Sequence, residues 1–293
     1  MTKILSGKDV AMSIDEKTIC IVEELKECNF VPKLGILQFK VNDGDLSYIR
    51  SIKRKAELLG IDVECIDMEN PNCIPTAYEI ESCGVHGFLT VGTKLANQEC
   101  YVGRDYFNQR DIDSVSSDTY GVIYGLTNLS IENGLFHIPC TAEACIRILK
   151  YYKIPITGRH IVILGRSYRV GKPLAMALSA MDATVTICHS KSNNISTICK
   201  NADIIVSAIG KANFVNEDFL SPKQTAIDVG INIDETGKLC GDVSPVANGI
   251  VRNLTPVPGG VGLVTTSVLM RRVAQSARSI FYDCMRGGYE IKF

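Results

Sequence analysis

Short apolar runs alternate with amphipathic stretches along the first third of the chain. The runs LGILQF (34–39), IDVECIDM (61–68) and VHGFLTV (85–91) have the length and composition of strands. Between them, residues 45–60 and 75–83 predict helices. The first of these helices repeats apolar side chains at helical spacing: Leu46, Ile49, Ile52, Ala56 and Leu59. Strands that alternate with helices predict a parallel sheet, and hence an α/β fold.

A second alternating unit begins near residue 140. Helices are predicted over 139–154, where Thr141 can cap the start with Pro139 just outside, over about 170–181 and over 265–283. Strands are predicted at 160–165, 183–189, 201–210 and 225–232. Their nearly continuous apolar character is typical of a parallel sheet that is buried on both faces. Together the two alternating units predict two domains.

Composition excludes several functional classes. A net charge of −1 in 293 residues argues against binding nucleic acid or acidic membranes, and no apolar run is long enough to span a membrane. The first residues, MTKILSGKDVAMSIDE, become charged too early for a secretory signal. The 12 cysteines are scattered without a CxxC pair and the four histidines are dispersed, so no metal site is expected. We therefore expect free thiols and a cytoplasmic location.

The strongest local signal is HIVILGRSYRVGKPLAMAL, residues 160–178. A strand leads into Gly165, a tight turn follows, and a helix begins near Val170 and Gly171. Glycines allow close backbone approach, and a helix N-terminus offers free N–H groups to a pyrophosphate. The GxGxxG pattern is broken, because Ser167 stands at the second glycine position. The segment predicts a dinucleotide site, and the alternative is a strand–helix turn that binds no ligand.

Two features of this segment and the next strand favour NADP over NAD. Arg166 directly follows the first strand, and its planar donor fork suits a ribose phosphate. At the end of the next strand, His189 and Ser190 stand where NAD sites usually carry an acidic residue. The alternative for Arg166 is a solvated arginine in a turn.

Several motifs together resemble one protein family. GRSYRVGKP, ATVTICHSKS, NADIIVSAIG, AIDVGIN, KLCGDV and TPVPGGVGLVT occur in the order and spacing of the bifunctional methylenetetrahydrofolate dehydrogenase/methenyltetrahydrofolate cyclohydrolases. PCT at 139–141 is also characteristic, and these motifs together cover residues 139–270. The first half resembles the family more loosely, through Gly60-Ile61, the helix that carries Tyr48, and RDIDS (110–114).

The resemblance implies a two-domain α/β protein. Residues 1–138 would form an αβα lobe that binds folate, completed by the C-terminal helix over 266–293, and residues 139–265 an NADP-binding Rossmann domain. It also implies oxidation of methylenetetrahydrofolate to methenyltetrahydrofolate with NADP, followed by hydrolysis to 10-formyltetrahydrofolate. Tetrahydrofolate derivatives would be the partners, and the chain would form a homodimer through the Rossmann domain.

The family's site residues carry over by motif. Contacts to NADP are implied for Gly165, Arg166, Ser167, Ser190 and Ile231. A loop bordering folate and nicotinamide is implied for Pro258, Gly259, Gly260, Val261 and Gly262, where adjacent glycines permit backbone geometries that a side chain would exclude. The alternative for that loop is a plain surface turn.

Two residues match the family's catalytic groups. Tyr48 matches a catalytic tyrosine, and Asp113 matches the aspartate that holds the pterin. The alternatives are a helix tyrosine packed against the sheet and a solvated loop carboxylate.

The sequence departs from the family pattern at the other catalytic positions. Ile52 stands four residues after Tyr48, where the family has a lysine. Lys53 cannot simply replace it, because a residue five positions on points about 140° away around the helix axis. Val91 stands where the family has the glutamine of QLPLP, and Thr93 replaces the first proline. We therefore expect the hydrolysis to be impaired or lost, since isoleucine cannot transfer a proton.

Four polar residues are candidates for replacing the missing groups: Lys53, Lys94, Gln38 and Lys40. Two other functional classes also remain open. The chain could be a nucleotide-binding homologue without catalysis, or a dehydrogenase that acts on another substrate.

Overall fold

The computed structural model describes residues 1–68, 84–92, 110–114 and 138–287. The predicted helix over 75–83, Thr93 and Lys94 lie outside these ranges. The chain divides into two compact units. The first unit comprises Met1–Ala11 and Ser117–Thr265, and the second comprises Met12–Ser116 and Thr266–Phe293.

The elements of the described residues are numbered in chain order. The strands are β1 Lys3–Ile4, β2 Lys33–Phe39, β3 Asp62–Asp67, β4 Gly87–Gly92, β5 His160–Leu164, β6 Thr184–Cys188, β7 Ile204–Ser207, β8 Thr225–Asp228, β9 Asn232–Ile233, β10 Leu239–Cys240 and β11 Asn253–Leu254. The helices are α1 Gly7–Glu27, α2 Asp43–Leu59, α3 Cys140–Tyr151, α4 Gly171–Ser179, α5 Ile195–Lys200 and α6 Val261–Gly287, with short 3₁₀ turns at Glu217–Phe219 and Pro245–Ala247.

A parallel sheet of six strands forms the centre of the first unit. Its order is β1-β11-β8-β7-β5-β6, and every neighbouring pair is parallel. The inner strands β7 and β8 are buried along their whole length, as the apolar runs predict. Residues 1–11 belong to this unit because β1 pairs with β11, whereas the sequence places them in the first domain. The boundary after residue 138 stays a prediction.

A smaller parallel sheet forms the second unit, in the order β3-β2-β4. One face carries an apolar cluster of Leu37, Phe39, Met68, Val85 and Phe88. The three predicted strands are thus confirmed in kind, within one or two residues of their predicted ends.

Helix α2 shows how local sequence sets an element's ends. Asn42 accepts a hydrogen bond from the Asp45 amide while Asp45 accepts one from the Asn42 amide, which forms a capping box. Gly60 ends the helix with φ of 71°, a left-handed conformation that suits glycine. The buried stripe consists of Ile49, Ile52, Ala56 and Leu59. Leu46 was expected in this stripe but is 37% exposed.

Two predicted helix starts are wrong. Helix α3 begins at Cys140 with Pro139 at the N-cap and no side-chain cap, so Thr141 lies inside the first turn and does not cap it. Helix α6 begins at Val261, four residues before the predicted start. Val261 and Gly262 are therefore helical, and only Pro258, Gly259 and Gly260 form the turn that precedes the helix.

The described residues contain neither a membrane-spanning helix nor a cluster of metal-binding side chains. None of the helices there is long and apolar enough to cross a membrane. No group of metal-binding side chains occurs in the same ranges. The cysteines placed by the structure are free thiols, and Cys140, Cys145, Cys188 and Cys199 are buried among apolar side chains.

His86 is a buried imidazole in the second unit. Its Nδ1 accepts a hydrogen bond from the Lys33 amide at 2.9 Å, and its ring centroid lies 4.6 Å from that of Phe30. Burial, with Arg110 and Lys33 adding to it, lowers the pKa of His86 from 6.5 to about 4. The folded protein therefore disfavours the imidazolium, and His86 contributes stability that is lost as the pH falls from 6.5 towards 4.

Replacing His86 by Asn should flatten the dependence of stability on pH. Asn can place an oxygen where Nδ1 lies and keep the Lys33 hydrogen bond, but it does not titrate. Between pH 7 and pH 5, wild type should lose about 2 kcal/mol more unfolding free energy than the variant. Urea unfolding of both proteins at several pH values measures this difference. Titratable groups that both proteins share cancel in the comparison. Parallel curves from pH 7 to pH 5 would contradict the assignment.

Candidate active site

The carboxyl ends of the parallel strands meet at one edge of the six-stranded sheet. The segments that follow β5, β6, β7, β8 and β11 therefore share this edge: 165–167, 189–190, 208–211, 229–231 and 255–260. Ligands of open parallel sheets bind where successive connections leave in opposite directions. That point lies between β5 and β7, because β6 borders β5 on one side and β7 borders it on the other. The predicted cofactor residues Gly165, Ser167 and Ser190 follow β5 and β6 at this edge.

Gly165 occupies a position that excludes a side chain. Its φ is 112°, and a Cβ there would collide with the carbonyl oxygen of Ala208 after β7. Its amide donates to the Cys188 carbonyl at 2.9 Å. The glycine thus holds the turn after β5 against the ends of both neighbouring strands, which supports the expected close approach of the backbone to a ligand.

Ser167 explains why the glycine motif is broken. Its Oγ accepts hydrogen bonds from the amides of Val170 at 3.2 Å and Gly171 at 3.4 Å, so the hydroxyl binds the N–H groups at the start of α4. Arg166 and Ser190 are exposed at the same edge. A guanidinium and hydroxyl groups are side chains that can bind a phosphate group.

A pocket at the same edge joins the remaining predicted residues. It is lined by Asp228, Val229, Gly230, Ile231 and Leu239, and by the continuous segment 256–263. The structure therefore brings Ile231 together with Pro258, Gly259, Gly260, Val261 and Gly262. Gly259 has φ of 102°, and its carbonyl accepts the Gly7 amide at 2.8 Å. Residues after β1 thus hold the glycine turn in place.

Asp242, which the sequence analysis did not single out, organises two of the edge segments. Its side chain is fully buried. Oδ2 accepts hydrogen bonds from the Ser207 hydroxyl and from the amides of Ile209 and Gly210, at 2.8–3.3 Å. Oδ1 accepts from the Lys211 amide at 2.8 Å and from the Asn232 side chain at 3.0 Å. Five donors on one carboxylate fix the segments after β7 and β8 relative to each other.

Asp228 is a second buried carboxylate, at the end of β8 and in the lining of the pocket. Burial raises its pKa from 3.8 to about 6; hydrogen bonds from the amides of Val243, Asp242 and Gly230 oppose the shift, and the Asp242 charge adds to it. Because the folded state favours the protonated form, ionisation of Asp228 removes stability as the pH rises from 3.8 to about 6. In the sequence, the only sign that these aspartates are buried is their place within largely apolar motifs: Asp228 in AIDVGIN and Asp242 in KLCGDV.

In the second unit, the structure settles the helical phase around Tyr48. Ile52 has no exposed surface, whereas Lys53 is exposed. Lys55 forms an ion pair with Asp15 of α1. Tyr48 itself is half-buried in the second turn of α2. The basic residues that follow Ile52 therefore do not occupy the position one turn after Tyr48.

Asp113 lies in a short segment that is held at two points. The Ile112 amide donates to the Phe88 carbonyl of β4 at 3.1 Å. The buried Arg272 of α6 donates to the Ile112 carbonyl at 2.9 Å and reaches the Ser114 hydroxyl at 3.4 Å. Asp113 is half-buried between these anchors. Sequence analysis missed Arg272, whose only signal was an arginine within the apolar pattern of the last helix.

Comparisons with known proteins agree with this architecture. Residues 139–281 match the family described as the tetrahydrofolate dehydrogenase/cyclohydrolase NAD(P)-binding domain. The bifunctional protein FolD of Clostridium botulinum is 39% identical over 289 residues, which cover 94% of this chain and 99% of that protein. The chain belongs to the FolD family. Family membership confirms the resemblance that the motifs suggested.

Solved FolD structures also share this fold over 95–96% of the chain. The bifunctional enzyme of Campylobacter jejuni has a TM-score of 0.84 and 28% identity, covering 96% of this chain and all of that one. The FolD of Trypanosoma brucei, solved with NADP cofactor and an inhibitor, has a TM-score of 0.82 and 25% identity, covering 95% and 98%. The predicted α/β fold with a Rossmann-type domain is thereby confirmed.

Replacing Asp242 by Asn should weaken both the fold and cofactor binding at this FolD edge. Asparagine would place an NH₂ group where one carboxylate oxygen now accepts hydrogen bonds. At least one buried hydrogen bond is then lost, and a buried N–H group faces another donor instead of an acceptor. We expect a loss of about 2–4 kcal/mol in unfolding free energy and a weaker NADP affinity. Urea unfolding and equilibrium titration with NADP measure the two effects. Asp218→Asn makes the same chemical change at an exposed site of this unit and should alter neither, whereas equal behaviour of the two variants would contradict the role of Asp242.

Proposed function

We propose that this FolD-family protein oxidises methylenetetrahydrofolate with NADP and hydrolyses methenyltetrahydrofolate weakly or not at all. NADP supplies the hydride acceptor, and hydride transfer asks the protein mainly to position donor and acceptor. The positioning parts are present as rigid backbone: the Gly165 turn, the segments held by Asp242, and the glycine turn before α6.

The hydrolysis has different requirements. A water must be activated and protons moved, which needs a titratable side chain within reach of the reacting atoms. The observation that carries the proposal is the complete burial of Ile52 one turn after Tyr48, with Lys53 exposed to solvent. Val91, at the position of the family's glutamine, is an apolar side chain that is 4% exposed. Tyr48 and Asp113 remain to bind the folate.

The proposed assignment includes the cofactor contacts and the assembly. NADP would contact Gly165, Arg166, Ser167, Ser190 and Ile231, and the substrate would contact Tyr48, Asp113 and the turn Pro258–Gly262. We also assign a homodimer through the first unit, whose β9–β10 hairpin exposes Ile233 and Leu239. A cytoplasmic location is consistent with the free thiols of the described residues.

A paired assay tests the catalytic proposal. With methylenetetrahydrofolate and NADP, the protein should produce NADPH. With methenyltetrahydrofolate, the absorbance should decay at a rate close to the spontaneous one, in wild type and in Tyr48→Phe alike. Lys53→Ala is the matched control for helical phase, and it should change neither reaction. Hydrolysis that is well above the spontaneous rate and disappears in Tyr48→Phe would overturn the proposal. NADPH binding without turnover would instead favour a non-catalytic homologue or another substrate.

Arg166 should set the preference for NADP. Arg166→Ala removes a charge-assisted contact to the ribose phosphate, so KM for NADP should rise about 10- to 100-fold while KM for NAD changes little. Initial rates with each nucleotide measure the ratio. Arg159→Ala, at an exposed arginine of the same unit that pairs with Asp203, should leave both values near wild type. A similar loss with NAD and NADP would show that Arg166 does not read the phosphate.

A further inference from the structure

Gln38 is an exception in the central strand of the second unit. The strand reads KLGILQF, and Leu37 and Phe39 on either side of Gln38 are buried, with 0% and 5% of their surface exposed. Gln38 is only half-buried. A carboxamide placed in an apolar strand is less favourable than leucine unless its polar atoms are used. Gln38 therefore calls for an explanation that the packing of the strand does not supply.

The strand register shows which face carries Gln38. It pairs with Asp67 of β3 and with Val91 of β4, so these three residues form one row across the sheet. Leu37 and Phe39 belong to the apolar cluster on the other face, because successive side chains of a strand alternate. Gln38 and Val91 therefore leave the same face of two strands that lie about 4.8 Å apart.

The row lies at the carboxyl edge, and its backbone is fixed. Gly92, directly after Val91, has φ of 96°, and a Cβ there would collide with the carbonyl oxygen of Phe39. Lys40, two residues after Gln38, has φ of 42°, a backbone conformation that residues other than glycine seldom adopt. The same strand then leads through Asn42 into α2, which carries Tyr48. Ligands of parallel α/β sheets bind at this edge.

We propose that Gln38 is a substrate-binding residue whose carboxamide hydrogen-bonds the pterin ring of the folate. The inference rests on the proposed function, because it takes folate as the ligand of the second unit. A carboxamide offers one acceptor and two donors, which complement the carbonyl, N–H and amino groups along one edge of a pterin. Of the other two positions in the row, Val91 offers no polar atom and Asp67 offers an exposed carboxylate, so Gln38 supplies the carboxamide of the row.

Moving the carboxamide to the adjacent strand tests this role. The variants are Gln38→Leu, Val91→Gln, and the double variant Gln38→Leu/Val91→Gln, each measured for the dissociation constants of tetrahydrofolate and of NADP. Gln38→Leu should weaken tetrahydrofolate binding about tenfold without changing NADP binding. The double variant should recover most of the loss, because its carboxamide leaves the same face one strand away. Val91→Gln alone should bind tetrahydrofolate like wild type.

The outcomes separate this inference from the function on which it rests. If wild type binds tetrahydrofolate and Gln38→Leu binds it equally well, the role of Gln38 is refuted and the proposed function stands. If Gln38→Leu weakens tetrahydrofolate and NADP binding alike, or the double variant recovers nothing, Gln38 acts only through the fold and the inference fails. If wild type neither binds tetrahydrofolate nor oxidises methylenetetrahydrofolate, the proposed function itself is refuted.

Discussion

The carboxylate of Asp242 is the interaction on which the cofactor edge of the first unit depends. Parallel strands place their carboxyl ends at one edge of the sheet, but they do not determine how the segments that follow them fold. Asp242 does so by accepting hydrogen bonds from the segment after β7 and from Asn232 after β8. Gly230 and Gly241 accompany it, since a Cβ at either position would collide with one of the two buried aspartates. Backbone geometry and buried carboxylates thus determine how the edge segments fold.

The second unit relies on side chains instead. Its three strands and capped helix α2 place Tyr48, and Arg272 holds the segment of Asp113 through the Ile112 carbonyl. What these residues can do chemically depends on their neighbours. A fully buried Ile52 contributes packing to α2 but no proton, and the exposed Lys53 cannot take its place without a change in helical phase.

Much of this architecture could be predicted from the sequence, because strands and helices follow from periodicity. The three strands of the smaller sheet, four of the six strands of the larger sheet and the burial of Ile52 were predicted correctly, and the motifs identified the family, whereas the two-residue strands β1 and β11 were not predicted. The errors arise where a local signal competes with tertiary structure. Thr141 has the chemistry of a cap but lies inside α3, and Leu46 has helical spacing but lies before the buried stripe. Asp242, Arg272 and the row of Gln38 and Val91 depend on pairings between distant segments, which periodicity does not reveal.

The contrast between the two units offers a physical reason why one of two activities can be lost alone. Hydride transfer requires that donor and acceptor be positioned against each other. In the proposed function, glycine turns and buried carboxylates maintain this geometry, and a substitution at the surface does not disturb them. Hydrolysis requires particular titratable groups, so the loss of hydrolysis that we propose needs no change in the fold: Ile52 contributes packing to α2 but no proton. A chain of this family can keep its fold and its cofactor edge, and lose only the chemistry that depends on one buried position of α2.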